Sequence, residues 1–421
     1  MKRFKFTNTN KKKAIVRKHR LLLIMSVFAL QLNAQTITNY TTADDLLTDF
    51  IECVEVDIND NIWLGSTIGI QVFDAAITNE TTYTTVDGLV NDNVKKIKAT
   101  SNGDIWVGTD YGLSNFDGTN WLTYDNTNGL NSNQVKSIDE DTNGDIWVGT
   151  NQGVSHFDGT TWVSYSSPDL HWSGVNATAF DANGDKWFAS PLGGTTHFDG
   201  TTFTPYDTAN GLLSQYVTAL LIDDQDNKWV GTSSGMSVLD ASNTSFTQHT
   251  RMYIMPPPDT LNPVVDIAMD SYGRIWAAIY VGYLAEGGVA MWNGNQWEDF
   301  HVSDGLVGPN VRGLSIDSED NVWVATSTGV SKISFIPSSL NSVSNYNVEV
   351  FPNPSSGIIT VSVDENLKNI EVYNVLGSLI HSEKIHFQNE ISVNLSHLSS
   401  GIYHLDLRNE NLVLNQKIII E

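Results

Sequence analysis

One phrase recurs seven times along the chain and constrains its architecture more than anything else in it. The phrase is Asp-x-x-Gly/Asp-x-Ile-Trp-Val-Gly/Ala-Thr in close variants, and its tryptophans are Trp63, Trp106, Trp147, Trp187, Trp229, Trp276 and Trp323. They are spaced 43, 41, 40, 42, 47 and 47 residues apart. A near-constant period of this length, filled with strand-like segments, is the mark of a radial β array. Each period reads as four short strands. In the third, alternating runs at 135–139, 145–150, 153–157 and 161–165 are separated by Asn143-Gly144, Gln152-Gly153 and Asp158-Gly159. Asn-Gly and Asp-Gly pairs between alternating runs favour hairpins, because the turn demands positive φ. Four antiparallel strands per period make a propeller blade.

The second strand of each period explains the tryptophan. In Ile146-Trp147-Val148-Gly149 alternate side chains point to opposite faces, and both faces are apolar, so both are expected to be buried between blades. The residue two beyond each Trp is always small: Gly65, Gly108, Gly149, Ala189, Gly231, Ala278 and Ala325. It shares the Trp face and is expected to make room for a bulky group of the next blade. Ring closure is legible too. Most fourth strands end in an aromatic, then Gly-Leu, then the next first strand, as in Tyr124, Gly129-Leu130 and Val135. The N-terminal segment has the same spacing in Tyr40, Asp45-Leu46 and Ile51, while the last period, 311–334, holds only three strands. The N-terminal strand is therefore expected to complete the last blade and remove an open edge. The fold class expected is all-β: a seven-bladed β-propeller over 35–335, followed by a small β-sandwich.

Phrases such as Asn143-Gly144-Asp145-Ile146-Trp147-Val148-Gly149-Thr150, with Gly153-Val154 and Phe157-Asp158-Gly159, resemble the two-component-regulator propeller family. The resemblance covers about residues 36–335. It implies a propeller of the kind that forms the periplasmic sensor half of membrane histidine kinases. No membrane span or kinase segment is read after the propeller in this sequence.

Both ends carry address signals. Residues 1–20 are basic, 21–30 are a continuous apolar run, and Leu32-Asn33-Ala34 precedes Gln35. The run is too short to span a membrane, so 1–34 reads as a secretory signal peptide. Residues 336–346 are rich in Ser and Asn and read as a linker. Beyond it, strands are expected at 348–351, 358–363, 369–374, 391–395, 402–407 and 412–420. This stretch, about 347–421, resembles the type IX secretion sorting domain of Bacteroidetes. The residues that carry the likeness are Pro352, Asn353, Pro354 and Gly357, then Gly377, then Gly401 and Tyr403, and Lys417 near the terminus. The resemblance implies passage through the periplasm, contact with the type IX secretion machinery, and release or attachment at the outer cell surface.

The formal net charge is −25, and loss of the nine Lys and Arg that precede Ala34 takes it to −34. Such a field repels nucleic acid and anionic membrane surfaces and favours solubility as a monomer. Cys53 is the only cysteine and lies in an apolar strand, so it reads as core. Acidic turns before the Trp, such as Asp141, Asn143 and Asp145, offer oxygens at alternate positions. Calcium is the one cofactor this spacing invites. Asp and Asn also cap tight turns with their own side chains, and several repeats lose the pattern, so turn chemistry is preferred and no cofactor is expected. His156 and His197 occupy equivalent places in repeats three and four; with no third ligand evident, they read as hydrogen-bonded residues between blades.

Residues that break the repeat mark the candidate ligand site. Loops from fourth to first strands share a face with loops between second and third strands. Two long departures fall there, at 249–263 with Arg251 and Tyr253, and at 279–288 with Tyr280, Tyr283 and Glu286. Both belong to blade six and are expected to form one wall. His171, Trp172 and Tyr111 lie in other loops of that face. Aromatics with Arg and Glu around a funnel suit a glycan or peptide bound by stacking and hydrogen bonds. The alternative is a propeller lyase acting on a polysaccharide or cyclic ester, with His171 or Tyr253 as base beside Arg251. No set of residues in the sequence compels catalysis.

Overall fold

The computed structural model describes residues 35–253, 262–282, 286–335, 348–363, 369–374, 379–384, 390–408 and 413–420. The segments 1–34 and 336–346, read as signal peptide and linker, lie outside the described residues, as do Tyr283 and Gly377. Two compact units divide the chain, one of them spanning 34–337.

That unit holds seven four-stranded antiparallel sheets, one for each Trp phrase. Blade one is typical, with Ile51–Val56, Ile62–Ser66, Gly69–Phe73 and Glu80–Tyr83 running in sequence order. Blade seven is composite. Its inner three strands are Val311–Ile316, Val322–Thr326 and Gly329–Phe335, and its outer strand is the N-terminal Gln35–Tyr40. The two ends pair in register from Gln35 opposite Phe335 to Tyr40 opposite Val330. Asn39 reinforces the closure, accepting from the Ser331 hydroxyl at 2.7 Å and donating to the Gly305 carbonyl at 2.8 Å. Tyr40 stacks on Trp323 with centroids 5.8 Å apart. Apart from two single-turn 3₁₀ segments, no helix occurs among the described residues.

The second strands are buried throughout in six blades and almost so in blade four. The small residue after the Trp is needed because the next blade's first strand fills its place. A Cβ built on Gly108 would lie 2.4 Å from Val135 Cγ1, and one on Gly65 would lie 2.6 Å from Val94 Cγ1. The bulky group is thus a β-branched residue that opens each first strand. The Gly-Leu leucines Leu89, Leu130, Leu212 and Leu306, and Leu46 after Asp45, plug the gap between blades. Leu170 and Met252 are equally buried in the two remaining connections.

The aspartate six residues before the Trp is the hub of each inner turn. In blade three, Asp141 Oδ1 accepts from the Asn143 and Asp145 amides at 2.9 and 3.2 Å, and Oδ2 accepts from Trp147 Nε1 at 3.1 Å. Asp57, Asp181, Asp223, Asp270 and Asp317 accept their indoles in the same way. Blade two has Thr100 there, whose hydroxyl donates to the Asp104 carbonyl instead. His156 and His197 each share a face with the Trp opposite them in register. The register sets His156 beside Trp147 of its own blade, stacked at 4.3 Å and bonded to Asp145 at 2.8 Å. His197 repeats this on Trp187 and Asp185.

The second unit packs a three-stranded sheet (Val348–Phe351, Ile358–Val363, Glu390–Asn394) and a four-stranded sheet around one core. Ile359, Val361, Ile370, Val372, Val393, Leu405 and Ile418 fill it. The strand Leu379–Lys384, absent from the sequence reading, pairs at an edge; its mixed polarity hides the alternation. Asn353 donates to the Lys417 carbonyl at 2.8 Å and accepts from the Ile419 amide at 2.9 Å. The Pro352-Asn353-Pro354 stretch is therefore bonded to the last strand, Val413–Ile420, and Gly357 at φ 110 turns the chain into Ile358–Val363. Tyr403 donates to the Ser399 carbonyl, closing the turn before Gly401.

Candidate functional site

The seven first strands surround a polar central channel of about 380 Å³, within the range of small-ligand sites. Its wall is stitched by side chains that reach from one first strand to the next. Ser315 accepts from the Val56 amide at 3.0 Å, Glu55 from the Ala99 amide at 3.1 Å, and Asp266 from the Leu314 amide at 3.0 Å. Thr178 donates to Asp139, and Asn176 donates to the Val217 carbonyl at 2.8 Å. Lys98 bonds Glu55 at 3.3 Å, while Lys96 lies 3.7 Å from Asp266. Burial pushes the Asp139 carboxyl up to about 6, with Lys98 and the Thr178 hydroxyl opposing. Cys53 is buried in the wall, and burial raises its thiol to about 12, so it is no nucleophile.

This charged wall was missed in the sequence. The slot eight residues before each Trp reads Glu55, Lys98, Asp139, Ala179, Leu221, Ala268 and Ser315. Charges in a slot that other repeats fill with small or apolar residues were the available signal.

At one mouth of the channel, six first strands carry the same register shift at their second residue, falling between Ile51 and Cys53 in blade one and at equivalent places in blades two, three, five, six and seven. A bulge leaves that residue unpaired and re-aims its side chain. The residues so placed are Glu52, Lys95, Lys136, Thr218, Val265 and Arg312. Glu52 bridges Lys95 at 2.9 Å and Arg312 at 2.7 Å. The Arg312 guanidinium lies 4.4 Å from the Phe50 ring and 5.6 Å from the Tyr280 ring.

The two departures of blade six do meet. Tyr253 donates its hydroxyl to the Gly287 carbonyl at 2.7 Å, and the Tyr280 amide donates to the Pro263 carbonyl at 3.1 Å. Asn262 accepts from the Met252 and Tyr253 amides at 2.9 Å each, pinching together the base of the first departure. Tyr253 is only 3% exposed and packs on His301 at 4.3 Å. It holds the wall together and does not offer its ring to a ligand. Burial raises its phenol far above the ordinary range, so it has no access to the role of base. Tyr280 is half-buried beside Arg312, whereas Arg251 and Glu286 are exposed. His171 and Trp172 are exposed and touch the turn at Gly193 in blade four; Tyr111, 62% exposed, caps the turn of blade two. The structure thus brings Arg251, Tyr253, Tyr280 and Glu286 to one side of the face and sets His171, Trp172 and Tyr111 on other blades.

Asp141, Asp145 and His156 place one ligand atom each within 4.8 Å of one another, as do Asp181, Asp185 and His197. The third group absent from the sequence reading is therefore present in space. The turn amides, the indole and the imidazole engage those carboxylates.

Comparison with known proteins agrees with this geometry. Residues 349–421 match the family described as a secretion system C-terminal sorting domain, and residues 129–152 match the two component regulator propeller. The chain thus carries a two component regulator propeller repeat within its propeller and a secretion sorting domain at residues 349–421. The sorting domain marks it for type IX export, to the cell surface or beyond, and so for contact with that machinery. No curated protein matches its sequence. Among solved structures, the extracellular domain of the putative hybrid two component system BT3049 from B. thetaiotaomicron is similar at 17% identity and a TM-score of 0.61, covering 91% of this chain and 57% of that one. PorZ, a surface component of the type-IX secretion system of Porphyromonas gingivalis, gives 16% and 0.57, covering 89% and 60%. A streptogramin B lyase gives 12% and 0.59, covering 72% and 98%. At these identities the likeness is one of fold, and the chain spans less than two thirds of the first two structures.

Proposed function

We propose that this exported propeller is a ligand-binding module, and that its ligand is a glycan or peptide held on the face built by the fourth-to-first and second-to-third connections. One observation carries this reading. Among the described residues of the propeller, eight of the twelve large apolar side chains left exposed lie in connections of that face, Tyr111, Trp172, Leu192 and Tyr216 among them. Exposed apolar side chains gathered mainly on one face around a polar channel mark a recognition surface. The extracellular sensor domains among the structural neighbours support a propeller that meets its ligand outside the cell. The burial of Tyr253 removes one of the two bases the lyase alternative relied on.

The test is retention of the purified chain on a panel of immobilised glycans and peptides. Trp172→Ala and Tyr111→Ala should each weaken binding by roughly tenfold, since a stacked aromatic contributes about 1–3 kcal/mol to such contacts. Leu122→Ala, on an outer strand, should change nothing. Equal retention of all four proteins would remove the face from consideration.

A further inference from the structure

The propeller carries ten Lys and Arg in a strongly acidic chain, and half of them, Lys95, Lys96, Lys98, Lys136 and Arg312, lie on the first strands. The distribution decides what they are for, because solubility places no demand on the innermost wall. The other five lie off the first strands. Lys186, Lys228, Arg274 and Lys332 lie over the rings of Trp147, Trp187, Trp276 and Trp323. Lys98 is bonded to Glu55, which also ties blade two to blade one.

The other cations of the first strands are less completely used. Lys136 approaches Asp110 only to 3.6 Å, and Lys96 approaches Asp266 only to 3.7 Å; neither ammonium makes a hydrogen bond among the described residues. Lys95 has one acceptor, Glu52, for three donors. Lys95 and Lys136 occupy the same bulged position on neighbouring blades, and their side chains stay 29% and 38% exposed. Arg312 stands at the corresponding bulge of blade seven, held against Phe50 and Tyr280. The equivalent places on the far side of the ring, Asn176 and Thr218, are uncharged and donate to backbone carbonyls of the next blade. Above that uncharged side stand the exposed Trp172, Leu192 and Tyr216. The face therefore sets donors for an anion on blades seven, two and three, with the exposed Tyr111 beside them on blade two, and the rings of Trp172 and Tyr216 on the uncharged side.

From this we infer that the mouth is a carboxylate subsite, in which Lys136 and Lys95 bind an acidic group of the ligand and Arg312 borders it, while the ligand body lies across the uncharged side. The inference rests on the proposed binding face and names the chemistry its ligand must carry. A uronic acid residue and the carboxylate of a peptide present the same group. Glu52 and Asp110 are the anions a ligand carboxylate meets there. Glu52 holds Lys95 and Arg312 in place at the cost of competing for them.

Calorimetric titration of the full chain tests this with four probes: tri-galacturonate, its methyl ester, an aromatic tripeptide acid, and the same tripeptide amide. One acid is expected to bind at least about tenfold more tightly than its neutral twin, the worth of a single charge-assisted hydrogen bond. Which acid does so tells glycan from peptide. Lys136→Gln should cost about tenfold for that acid and leave the neutral twin unchanged, and added salt should weaken the acid alone. Glu52→Gln, which keeps the size of the side chain and frees the two cations, should strengthen acid binding. Acid and neutral probes binding equally, Lys136→Gln without effect, or no binding by any probe would each overturn the subsite. Retention on neutral glycans or peptides, lost in Trp172→Ala, would in the same experiments show the binding face standing without it.

Discussion

Asp139 is the residue at which the channel's electrostatics can be measured. Its carboxyl sits in the wall of the channel, accepts from Thr178, and titrates at about 6 against 3.8 for a free aspartate because burial disfavours its charge. The fold therefore holds this proton more tightly than the unfolded chain does. Its contribution to stability is fully present below about 4 and is lost as pH rises toward 6, a change on the order of 1–3 kcal/mol for a group that keeps some contact with the channel. Asp139→Asn still accepts from Thr178 and carries no charge. The variant should be the more stable protein at pH 7, and the fall in melting temperature between pH 4 and 6 should flatten. An unchanged profile would mean that Asp139 is ionised in the fold at little cost. Nothing in the sequence ranked this aspartate above its many neighbours, because its environment is assembled from four blades. The turn aspartates were the reverse case. Asp141 and its equivalents were legible as turn formers from local spacing alone, since every donor they serve lies within six residues.

At the scale of the strand, the small residue after each Trp shows what pattern conveys and what it leaves out. Sequence reading gave the slot and the need for space. The occupant, a β-branched residue opening the next blade's first strand, came only with the packing. Gly108→Ala would set a methyl 2.4 Å from Val135 Cγ1, and overpacking of that kind costs about 1–3 kcal/mol. Adding Val135→Ala vacates the space, so the double variant should be less destabilised than the sum of the two single ones. Denaturant unfolding of all four proteins measures the coupling, and simple additivity would show that the two residues do not compete for one volume. The bulges were not legible at all. Glu52, Lys95, Lys136, Thr218, Val265 and Arg312 share no chemistry, and a bulge follows from strand twist and curvature around the channel rather than from composition.

For the whole molecule the decisive joint is the one between its N-terminal strand and blade seven. Removing Gln35–Tyr40 would strip the outer strand from Gly329–Phe335, expose its paired edge and uncover Trp323. The shortened protein should melt several degrees lower, each kcal/mol being worth roughly 2 °C in a domain of this size, and should self-associate through the open edge. Light scattering and a thermal scan check both; a monomer with an unchanged midpoint would mean the ring needs no clasp. Seven blades, the composite seventh blade and the sorting sandwich were all set by the sequence alone, because each repeat meets the same surroundings and so repeats the same local pattern. The binding face was only half determined in this way. The two departures of blade six could be placed on one wall from topology. That Tyr253 is the pin of that wall and Tyr280 its half-buried edge beside Arg312, and that Lys95, Lys136 and Arg312 converge on one mouth, was decided by closing the ring. Residues more than 200 positions apart become neighbours there, and no local pattern records which of them will meet.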